Sequence, residues 1–417
     1  MPGAPHSDLR SVAIIGAGPA GLVAALALAR AGAAVSIAAP RPTPALLAAD
    51  TRTFAAMGGS VDLLKALGVW AALQPHIAPL RAIRLIDDRG GVLRAPEVLF
   101  EAAEAGLETF GANIPQAALG VVLANAADAT SAIHWYDTPA VEAVMPAADH
   151  IVLRLTGGAE LRASLAVAAD GRQSIGRSAA GIATKAWSYP QAAVACVFGH
   201  TRAHDGISTE FHRATGPLTT VPMPDGPNGP NGPRSSLVWV ETPARAAALK
   251  AMTEAEFLST LGTRLHGLLG TLTHIEPRAV FPLSGLEAET MARHRIALVG
   301  EAGHVLPPIG AQGLNLGLRD AATLSECVED ALRARNDIGS VEVLAAYANR
   351  RAADVSARTF AVDLLNRSLL STALTFDAVR GIGLHALALS STLRKAAMRQ
   401  GLEPIGVRPR LMQPVGG

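Results

Sequence analysis

Two glycine-rich turns contain the residues whose types and spacing are best suited to hold a cofactor. The first, Gly16-Ala17-Gly18-Pro19-Ala20-Gly21, follows the apolar stretch Ser11 to Ile15 and opens an apolar helix. In a GxGxxG turn the first glycine permits a tight turn, the second lets the backbone approach a pyrophosphate, and the third lets the helix pack on the strand. Free amides and the positive end of the helix dipole attract the phosphate oxygens. The turn therefore predicts a dinucleotide site, without separating FAD from a nicotinamide cofactor.

The second turn, Gly300-Glu301-Ala302-Gly303-His304, follows the apolar stretch Arg295 to Val299, and Pro307 to Asn315 opens the next helix. A carboxylate at the end of a strand can accept hydrogen bonds from polyol hydroxyls, such as the ribityl chain of a flavin. The prolines and glycines can leave amides unpaired at the helix start. Such amides can stabilise negative charge on a reduced flavin ring.

The sequence predicts neither a side-chain nucleophile nor a metal centre. No Ser-His-Asp order and no pair of carboxylates in it is identified as a catalytic machine. His304 is the tempting candidate, but a histidine in such a loop is more often a structural hydrogen-bond partner, so it receives no role. Cys196 and Cys327 form no CxxC pair and no disulfide framework. Catalysis is therefore expected to rest on the backbone of Gly313, Leu314 and Asn315.

A third motif, Ala169-Asp170-Gly171-Arg172, lies between the two turns. In this order the three motifs resemble the FAD monooxygenases built on the para-hydroxybenzoate hydroxylase fold. Within that group, four stretches resemble the ubiquinone-biosynthesis hydroxylases in particular: Gln312 to Asp320, Arg234 to Trp239, Tyr189 to Gln191 and Leu365 to Arg367. The resemblance covers roughly residues 10 to 395.

The resemblance implies an enzyme that holds FAD, is reduced by NAD(P)H and uses O2 to hydroxylate a phenol through a flavin C4a-hydroperoxide. It implies a phenolic or quinone substrate with a prenyl tail, from ubiquinone biosynthesis. The residues implied to bind the cofactor are Gly16, Gly18, Pro19, Ala20, Gly21, Arg52, Gln116, Asp170, Gly171, Glu301, Gly310, Gln312, Gly313, Leu314 and Asn315. Those expected to line the substrate pocket are Tyr189, Gln191, Pro307 and Pro308.

Two positions depart from the family pattern. Ala39 stands where an acidic residue usually closes the second strand and holds the ribose hydroxyls. Glu301 stands where the family usually has Asp, so the charge is kept and the reach is longer by one methylene. Because of these departures, one alternative function stays open: an inactive flavin-binding scaffold subunit of a quinone-biosynthesis complex. A flavoprotein of the same fold with other chemistry, such as a prenyl reductase, is a second alternative.

The elements that position these motifs predict an α/β fold. We expect a Rossmann-like FAD-binding domain assembled from separated segments, a β-rich substrate domain and C-terminal helices. The FAD-binding domain is assigned residues 10–75, 150–188 and 285–335, and the substrate domain mainly 76–149 and 189–284. Residues 336–400 are assigned to the helical region and 401–417 to a loose tail. Residues Pro224 to Arg234 are expected to form a long hairpin loop.

Composition excludes several partner classes. The net charge is +1 and no Lys/Arg run is present, so nucleic acid is not expected as a partner. The polar amino terminus does not resemble a secretion signal, and charged residues interrupt every long apolar stretch, so a cytoplasmic location is expected. The apolar helices between Val341 and Leu402 suit either peripheral contact with the inner membrane or packing on the protein itself or a partner subunit.

Overall fold

The computed structural model describes residues 10–43, 50–89, 95–225, 232–370, 374–403 and 405–414. Its strands are β1 (Ser11–Ile15), β2 (Ala34–Ala39), β3 (Thr53–Met57), β4 (Ala78–Leu80), β5 (Ala82–Asp87), β6 (Val98–Glu101), β7 (Gly111–Pro115), β8 (Ile133–Asp137), β9 (Val141–Pro146), β10 (Ile151–Leu155), β11 (Glu160–Ala163), β12 (Leu165–Ala168), β13 (Thr184–His200), β14 (Ile207–His212), β15 (Leu218–Met223), β16 (Arg234–Glu241), β17 (Leu272–Ile275), β18 (Ala279–Ala288), β19 (Ala292–Arg293), β20 (Ile296–Leu298) and β21 (His304–Val305). Its helices are α1 (Pro19–Arg30), α2 (Gly58–Ala66), α3 (Trp70–Leu73), α4 (Gln116–Ala129), α5 (Ile175–Ala179), α6 (Pro243–Ala251), α7 (Glu254–Arg264), α8 (Gln312–Arg333), α9 (Val341–Leu370), α10 (Leu374–Leu389) and α11 (Ser391–Leu402).

A six-stranded sheet carries both glycine-rich turns. Its order is β19-β20-β12-β1-β2-β8, and every neighbouring pair is parallel except β19 with β20. Continuous apolar runs such as Leu165–Ala168 suit strands that are buried on both faces, which is how parallel sheets occur. Its strands come from four separate parts of the chain, so the expected Rossmann-like domain of separated segments is confirmed.

A second, nine-stranded sheet forms the β-rich part of the molecule. Its order is β21-β18-β13-β16-β15-β14-β5-β6, with β17 also pairing with β13. The side chains of Trp239 and Phe257 pack edge to face at 6.1 Å between ring centroids, because α6 and α7 cover one face of this sheet. The expected hairpin is confirmed by the pairing of Met223 with Arg234. Residues 226–231 of its loop lie outside the described residues.

Part of the expected domain division is wrong for residues 76–149. Only β5 and β6 of this segment join the nine-stranded sheet. Strand β8 instead adds to the edge of the six-stranded sheet beside β2, and the alanine-rich α4 packs on α1. The expected strand from Leu161 to Ala169 also divides at Ser164 into β11 and β12, which belong to different sheets. The apolar pattern alone does not show which sheet a strand joins, because both sheets bury the same residue types.

The C-terminal segment is not a loose tail over its described part. Arg410 contacts the carboxylates of Glu329 and Asp330 at 2.9 and 2.8 Å, and Met412 is buried beside α2. These ion pairs and the buried thioether hold the segment against α8 and α2. No helix among the described residues is long and apolar enough to cross a membrane.

A buried ion-pair network joins α8, α9 and the segment after α11. Asp354 contacts the guanidinium groups of Arg319, Arg351 and Arg358 at 2.6, 3.0 and 3.4 Å and accepts a hydrogen bond from the backbone N of Ile405. Burial raises the pKa of Asp354, but the neighbouring arginines and these hydrogen bonds lower it more, to about 2. The ionised carboxylate is therefore the form that the fold requires.

We expect Asp354→Asn to lower the free energy of unfolding at pH 7 by about 3–5 kcal/mol, because it leaves three buried guanidinium groups without their shared carboxylate. Because the pKa falls from 3.8 to about 2 on folding, the ionised form stabilises the wild type above about pH 4. About 2 kcal/mol of that stability is lost as the pH falls from about 4 through about 2.

Urea unfolding at several pH values measures both effects. The control is Asp128→Asn, which removes an exposed ion pair with Arg41 and should change stability by no more than about 1 kcal/mol. Equal effects of the two substitutions would contradict the role of the buried network.

Candidate active site

The first glycine turn leaves open space at one position only. A Cβ at Gly16 would lie 2.5 Å from the carbonyl oxygen of Ala169, and one at Gly21 would lie 2.3 Å from that of Gly16. A Cβ at Gly18 would meet nothing within 4 Å. Gly18 is also the N-cap of α1 and Pro19 its first residue, with no side chain capping the helix. Two glycines are therefore required by packing, while Gly18 keeps the helix end accessible.

Small residues bring the two turns into contact. A Cβ at Gly300 would lie 3.3 Å from the Cβ of Ala20, and one at Gly317 would lie 3.0 Å from the Cα of Gly300. Ala20 belongs to the first turn of α1 and Gly317 to the second turn of α8. The amino ends of the two helices therefore lie side by side across the Gly300 turn.

The start of α8 is shaped by backbone geometry and by the side chain of Asn315. The N-cap residue, Ala311, adopts a left-handed conformation with φ 54° and provides no side-chain cap. The Asn315 side chain accepts hydrogen bonds from the Met57 N and the Ser60 hydroxyl, and it donates to the Ala55 and Ala311 carbonyls. Since its polar atoms are already bonded within the protein, only the backbone of Asn315 remains for a ligand.

Asp170 has one carboxylate oxygen that the protein does not satisfy. Its Oδ2 accepts hydrogen bonds from the backbone N of Ile175 at 2.7 Å and of Gly176 at 3.3 Å, which fixes the start of α5. Its Oδ1 is buried and has no partner among the described residues. The next residue, Gly171, has φ 80° and open space around it. A buried oxygen without a donor beside open space is the arrangement that a ligand hydroxyl or amide would complete.

A cleft of about 460 Å³ lies between the two large sheets. One wall carries five residues that the sequence predicted for the site: Arg52, Gln116, Glu301, Pro307 and Pro308. The opposite wall comes from β13, β16 and β18 of the nine-stranded sheet. The predicted cofactor residues and the sheet expected to bind substrate thus meet in one cavity.

The polar groups of the cleft are arranged around Arg52. Its guanidinium group donates two hydrogen bonds to Asp50 at 2.8 and 2.7 Å, and it lies 5.9 Å from the centre of the Phe281 ring. The hydrogen bond to Asp50 raises the pKa of Arg52, and the charge of the nearby Glu301 adds to this effect. Gln116 is held beside it, since its backbone N donates to the Arg52 carbonyl at 2.9 Å.

The wall opposite Arg52 is largely apolar and has no ionised nucleophile. Ala193 and Ala195 of β13 line it with small side chains, and Leu237 and Phe281 add apolar surface. Burial raises the pKa of the Cys196 thiol to about 12, so the thiol remains protonated at neutral pH. Among the described residues, no group of His, Cys, Asp and Glu side chains could hold a metal ion.

His304 is buried behind the Gly300 turn. Its Nε2 lies 2.6 Å from the Oδ2 of Asp320, which also accepts a hydrogen bond from the Gly300 N at 3.0 Å. Arg351 contacts the other oxygen of Asp320 at 2.6 Å. Burial raises the pKa of Asp320, but His304 and Arg351 lower it more, so that the carboxylate is charged. Asp320 therefore fixes the position of the turn that carries Glu301.

Neither Tyr189 nor Gln191 lines the cleft, so the expectation that they line the substrate pocket is wrong. The Tyr189 hydroxyl donates to Asp363 at 2.6 Å, and the Gln191 side chain pairs with Asn366 at 2.9 Å, so both tie β13 to α9. The pairing of β13 with β18 is irregular between Ser188 and Ala192. This irregularity separates the two residues from the cleft-lining part of the strand, and a sequence pattern does not locate it.

Two predicted residues lie at a different cavity. Gly310 and Gln312 line a smaller apolar cavity rather than the main cleft. Arg172, the last residue of the third sequence motif, lines the cleft. Phe281, Ala193 and Ala195 also line it, although the sequence analysis assigned them no role. These three lie on strands whose alternating pattern shows burial but not which cavity they face.

Ala39 is buried, and its carbonyl accepts a hydrogen bond from the Trp135 ring N at 3.0 Å. In the sheet register Ala39 lies opposite Asp137, at the end of the neighbouring parallel strand β8. Asp137 is exposed, and its carboxylate accepts a hydrogen bond from the Arg41 N at 3.0 Å. A carboxylate thus lies beside the position where the expected acidic residue is missing.

FAD suits these residues. Gly18 leaves the space that a pyrophosphate needs at a helix end, and Asp170 has a buried oxygen in need of a donor. The carboxylate of Glu301 is exposed at the cleft, where a ribityl chain would find an acceptor. The second helix end, near Gly313, lies next to the first as one extended ligand requires.

The chain is similar along nearly its whole length to two proteins that are named as hydroxylases. It is 31% identical to the ubiquinone hydroxylase UbiL of Rhodospirillum rubrum, over 97% of this chain and 92% of that protein. It is 31% identical to the 3-demethoxyubiquinol 3-hydroxylase of Escherichia coli, over 94% of this chain and 98% of that protein. The fold matches p-nitrophenol 4-monooxygenase PnpA of Pseudomonas putida with a TM-score of 0.73 and 19% identity, covering 95% of this chain and all of that one.

A family model described as FAD binding domain matches residues 10–360, which include all three motifs and both walls of the cleft. Together with the full-length relatives, this match shows that the chain belongs to the FAD binding domain family of flavoprotein monooxygenases.

Proposed function

We propose that this protein is an FAD-dependent hydroxylase that uses NAD(P)H and O2 to hydroxylate a prenylated phenol or quinone precursor in ubiquinone biosynthesis. The observation that carries the proposal is the single cleft in which Arg52, Gln116 and Glu301 face an apolar wall of the nine-stranded sheet. The names of the full-length relatives supply the substrate class.

The residues that would hold FAD divide between the two turns. Gly16, Gly18 and Gly21 would admit the pyrophosphate to the end of α1, and Asp170 and Glu301 would accept hydrogen bonds from the polyol region. The backbone amides of Gly313, Leu314 and Asn315 would face the ring, since the Asn315 side chain is already bonded elsewhere. When bound, FAD supplies electron transfer from NAD(P)H and the activation of O2.

The remaining task of the protein is to position the phenol and to exclude water. Ala193 and Ala195 leave room for a flat ring against the sheet, and Phe281 and Pro307 bound the same space. A reaction of this class needs the reacting atoms within about 3–3.5 Å of each other in a dry pocket. The protonated Cys196 and the absence of an acid-base pair at the described cleft fit a site that acts by shape and by backbone amides.

Substitution of Gly18 tests the pyrophosphate site at the start of α1. We expect Gly18→Ala to leave stability nearly unchanged, because its φ is −68° and its new Cβ meets nothing within 4 Å. FAD affinity should fall at least about 10-fold, since the methyl group occupies the space through which the pyrophosphate approaches. The ratio of bound flavin to protein, from visible absorbance, measures the loss. Gly383→Ala on α10, also without a contact within 4 Å, is the matched control; unchanged flavin binding by Gly18→Ala contradicts the assignment.

Labelled O2 tests whether the protein is a hydroxylase. Wild-type protein should incorporate labelled oxygen from O2 into a phenolic product during NAD(P)H oxidation. We expect Ala195→Leu to retain FAD but to lower product formation by about 10- to 100-fold, because added methylenes in a packed site cost about 1–3 kcal/mol. NAD(P)H oxidation should then release peroxide instead.

Ala186→Leu is the control for this variant, since Ala186 lies on the same strand and is exposed. Reduction of a substrate without O2 consumption would favour the prenyl reductase. Flavin binding without NAD(P)H oxidation would favour an inactive scaffold subunit.

We also infer that the protein acts on the cytoplasmic side of the inner membrane, as a peripheral protein. Phe360 and Leu364 lie one helical turn apart on α9 and are 68% and 48% exposed. Such an apolar face suits the surface of a lipid bilayer in which a prenylated substrate dissolves. Leu374 and Phe376 continue the apolar sequence of this region, but their side chains lie outside the described part of the structure.

We therefore expect wild-type protein to float with liposomes in a density gradient, and Phe360→Ser with Leu364→Ser to reduce the floated fraction several-fold. Val341→Ser, which changes a side chain 76% exposed at the other end of α9, should have little effect. Wild-type protein that remains at the bottom of the gradient would exclude the membrane contact and leave the partner-subunit alternative.

A further inference from the structure

A second cavity of about 210 Å³ lies between α11 and the strands β5 and β6. Its described lining combines residues from four parts of the chain: Met57, Ile83, Phe100, Phe110, Ala397 and Met398, with Gly310, Gln312 and Gly401. Phe110 and Met398 are buried, whereas Gly401 is exposed, so the cavity reaches the surface. It is therefore a slot rather than a closed packing defect.

The slot offers no polar side chain to a ligand among its described residues. Gln312 is the only polar side chain in the lining, and both ends of its amide are bonded within the protein. Its Nε2 donates to the Gly310 carbonyl at 2.9 Å, and its Oε1 accepts from Arg358 at 2.8 Å. A ligand without hydrogen-bonding groups is the kind that such a cavity favours, since a polar ligand would lose its bonds to water without replacement.

The slot adjoins the cleft through two shared elements. Pro307 and Pro308 line the cleft, and Gly310 of the same loop and Gln312 at the start of α8 line the slot. Thr53 lines the cleft at the start of β3, and Met57 lines the slot at its end. Four strand residues at about 3.3 Å each separate these two points by roughly 13 Å.

We propose that this slot binds the isoprenoid tail of the substrate whose ring occupies the cleft, an inference that rests on the proposed function. Each isoprene unit adds four carbon-carbon bonds of about 1.5 Å, or roughly 5 Å when extended. A tail would thus cross from cleft to slot within two to three units. Since an apolar cavity of about 150 Å³ holds benzene, the slot has room for about one or two further units. Longer tails leave through the opening at Gly401.

The test compares the binding of one phenol that carries zero, one, two, three or four isoprene units to the FAD-loaded protein without NAD(P)H. Titration calorimetry gives each Kd. We expect the phenols with zero and one unit to bind within about 3-fold of each other. Those with three and four units should bind at least about 10-fold more tightly, because only they place apolar carbon in the slot.

Two variants should fill the slot from different points. Ala397→Phe places a ring in it, and Gly401→Val adds a side chain where a Cβ meets nothing within 4 Å. Each should abolish the 10-fold gain of the three-unit phenol and leave the Kd of the tailless phenol unchanged. Ala396→Phe, an exposed neighbour on α11 outside the lining, should keep the gain. Thermal unfolding confirms that each variant is folded.

Equal affinity for all tail lengths, or a gain that persists in both slot variants, would overturn the proposal. These outcomes are distinct from failure of the proposed function. A protein that hydroxylates the tailless phenol but shows no preference for tails lacks only the tail site. A protein that binds tailed phenols through the slot yet incorporates no labelled oxygen lacks only the hydroxylase activity.

Discussion

The close packing of Ala20, Gly300 and Gly317 is the constraint on which the site depends. No side chain larger than a methyl group separates the first turn of α1, the turn after β20 and the second turn of α8. The two helix ends consequently lie near enough to face one extended ligand. Any larger residue at Gly317 would meet backbone atoms of Gly300 at 3.0 Å, and backbone cannot yield as a flexible side chain can.

Electrostatics holds the same turn from the other side. Asp320 receives a hydrogen bond from the Gly300 backbone and contacts His304 and Arg351, all in the interior. Arg351 also contacts Asp354, so the ion pairs that stabilise the helices continue into the turn that carries Glu301. A buried carboxylate with several partners is a rigid support, because loss of one partner leaves charge uncompensated. The stability of the fold and the placement of the predicted cofactor residue Glu301 are therefore physically connected.

The sequence could predict what local geometry dictates. Gly21 is required by a contact with Gly16 in the same turn, and Gly16 by the Ala169 carbonyl just after β12. Arg52, Gln116 and Glu301 follow motifs whose order survives in the chain, and all three line the cleft. Tyr189 and Gln191 were misjudged because strand irregularity and distant partners on α9 decide their orientation. Arg410 and Met412 were assigned to a tail because their contacts lie some 80 residues or more away in the chain, where no local pattern shows them.

Arg358 joins two parts of the molecule that otherwise have separate surroundings. Its guanidinium group donates to Gln312, the first residue of α8, and also to the carbonyls of Gly401 and Glu403 at the end of α11. A shift of the last helix must break these bonds or draw Gln312 with it. Through Arg358 the end of the last helix is therefore coupled mechanically to the start of α8, beside the cleft.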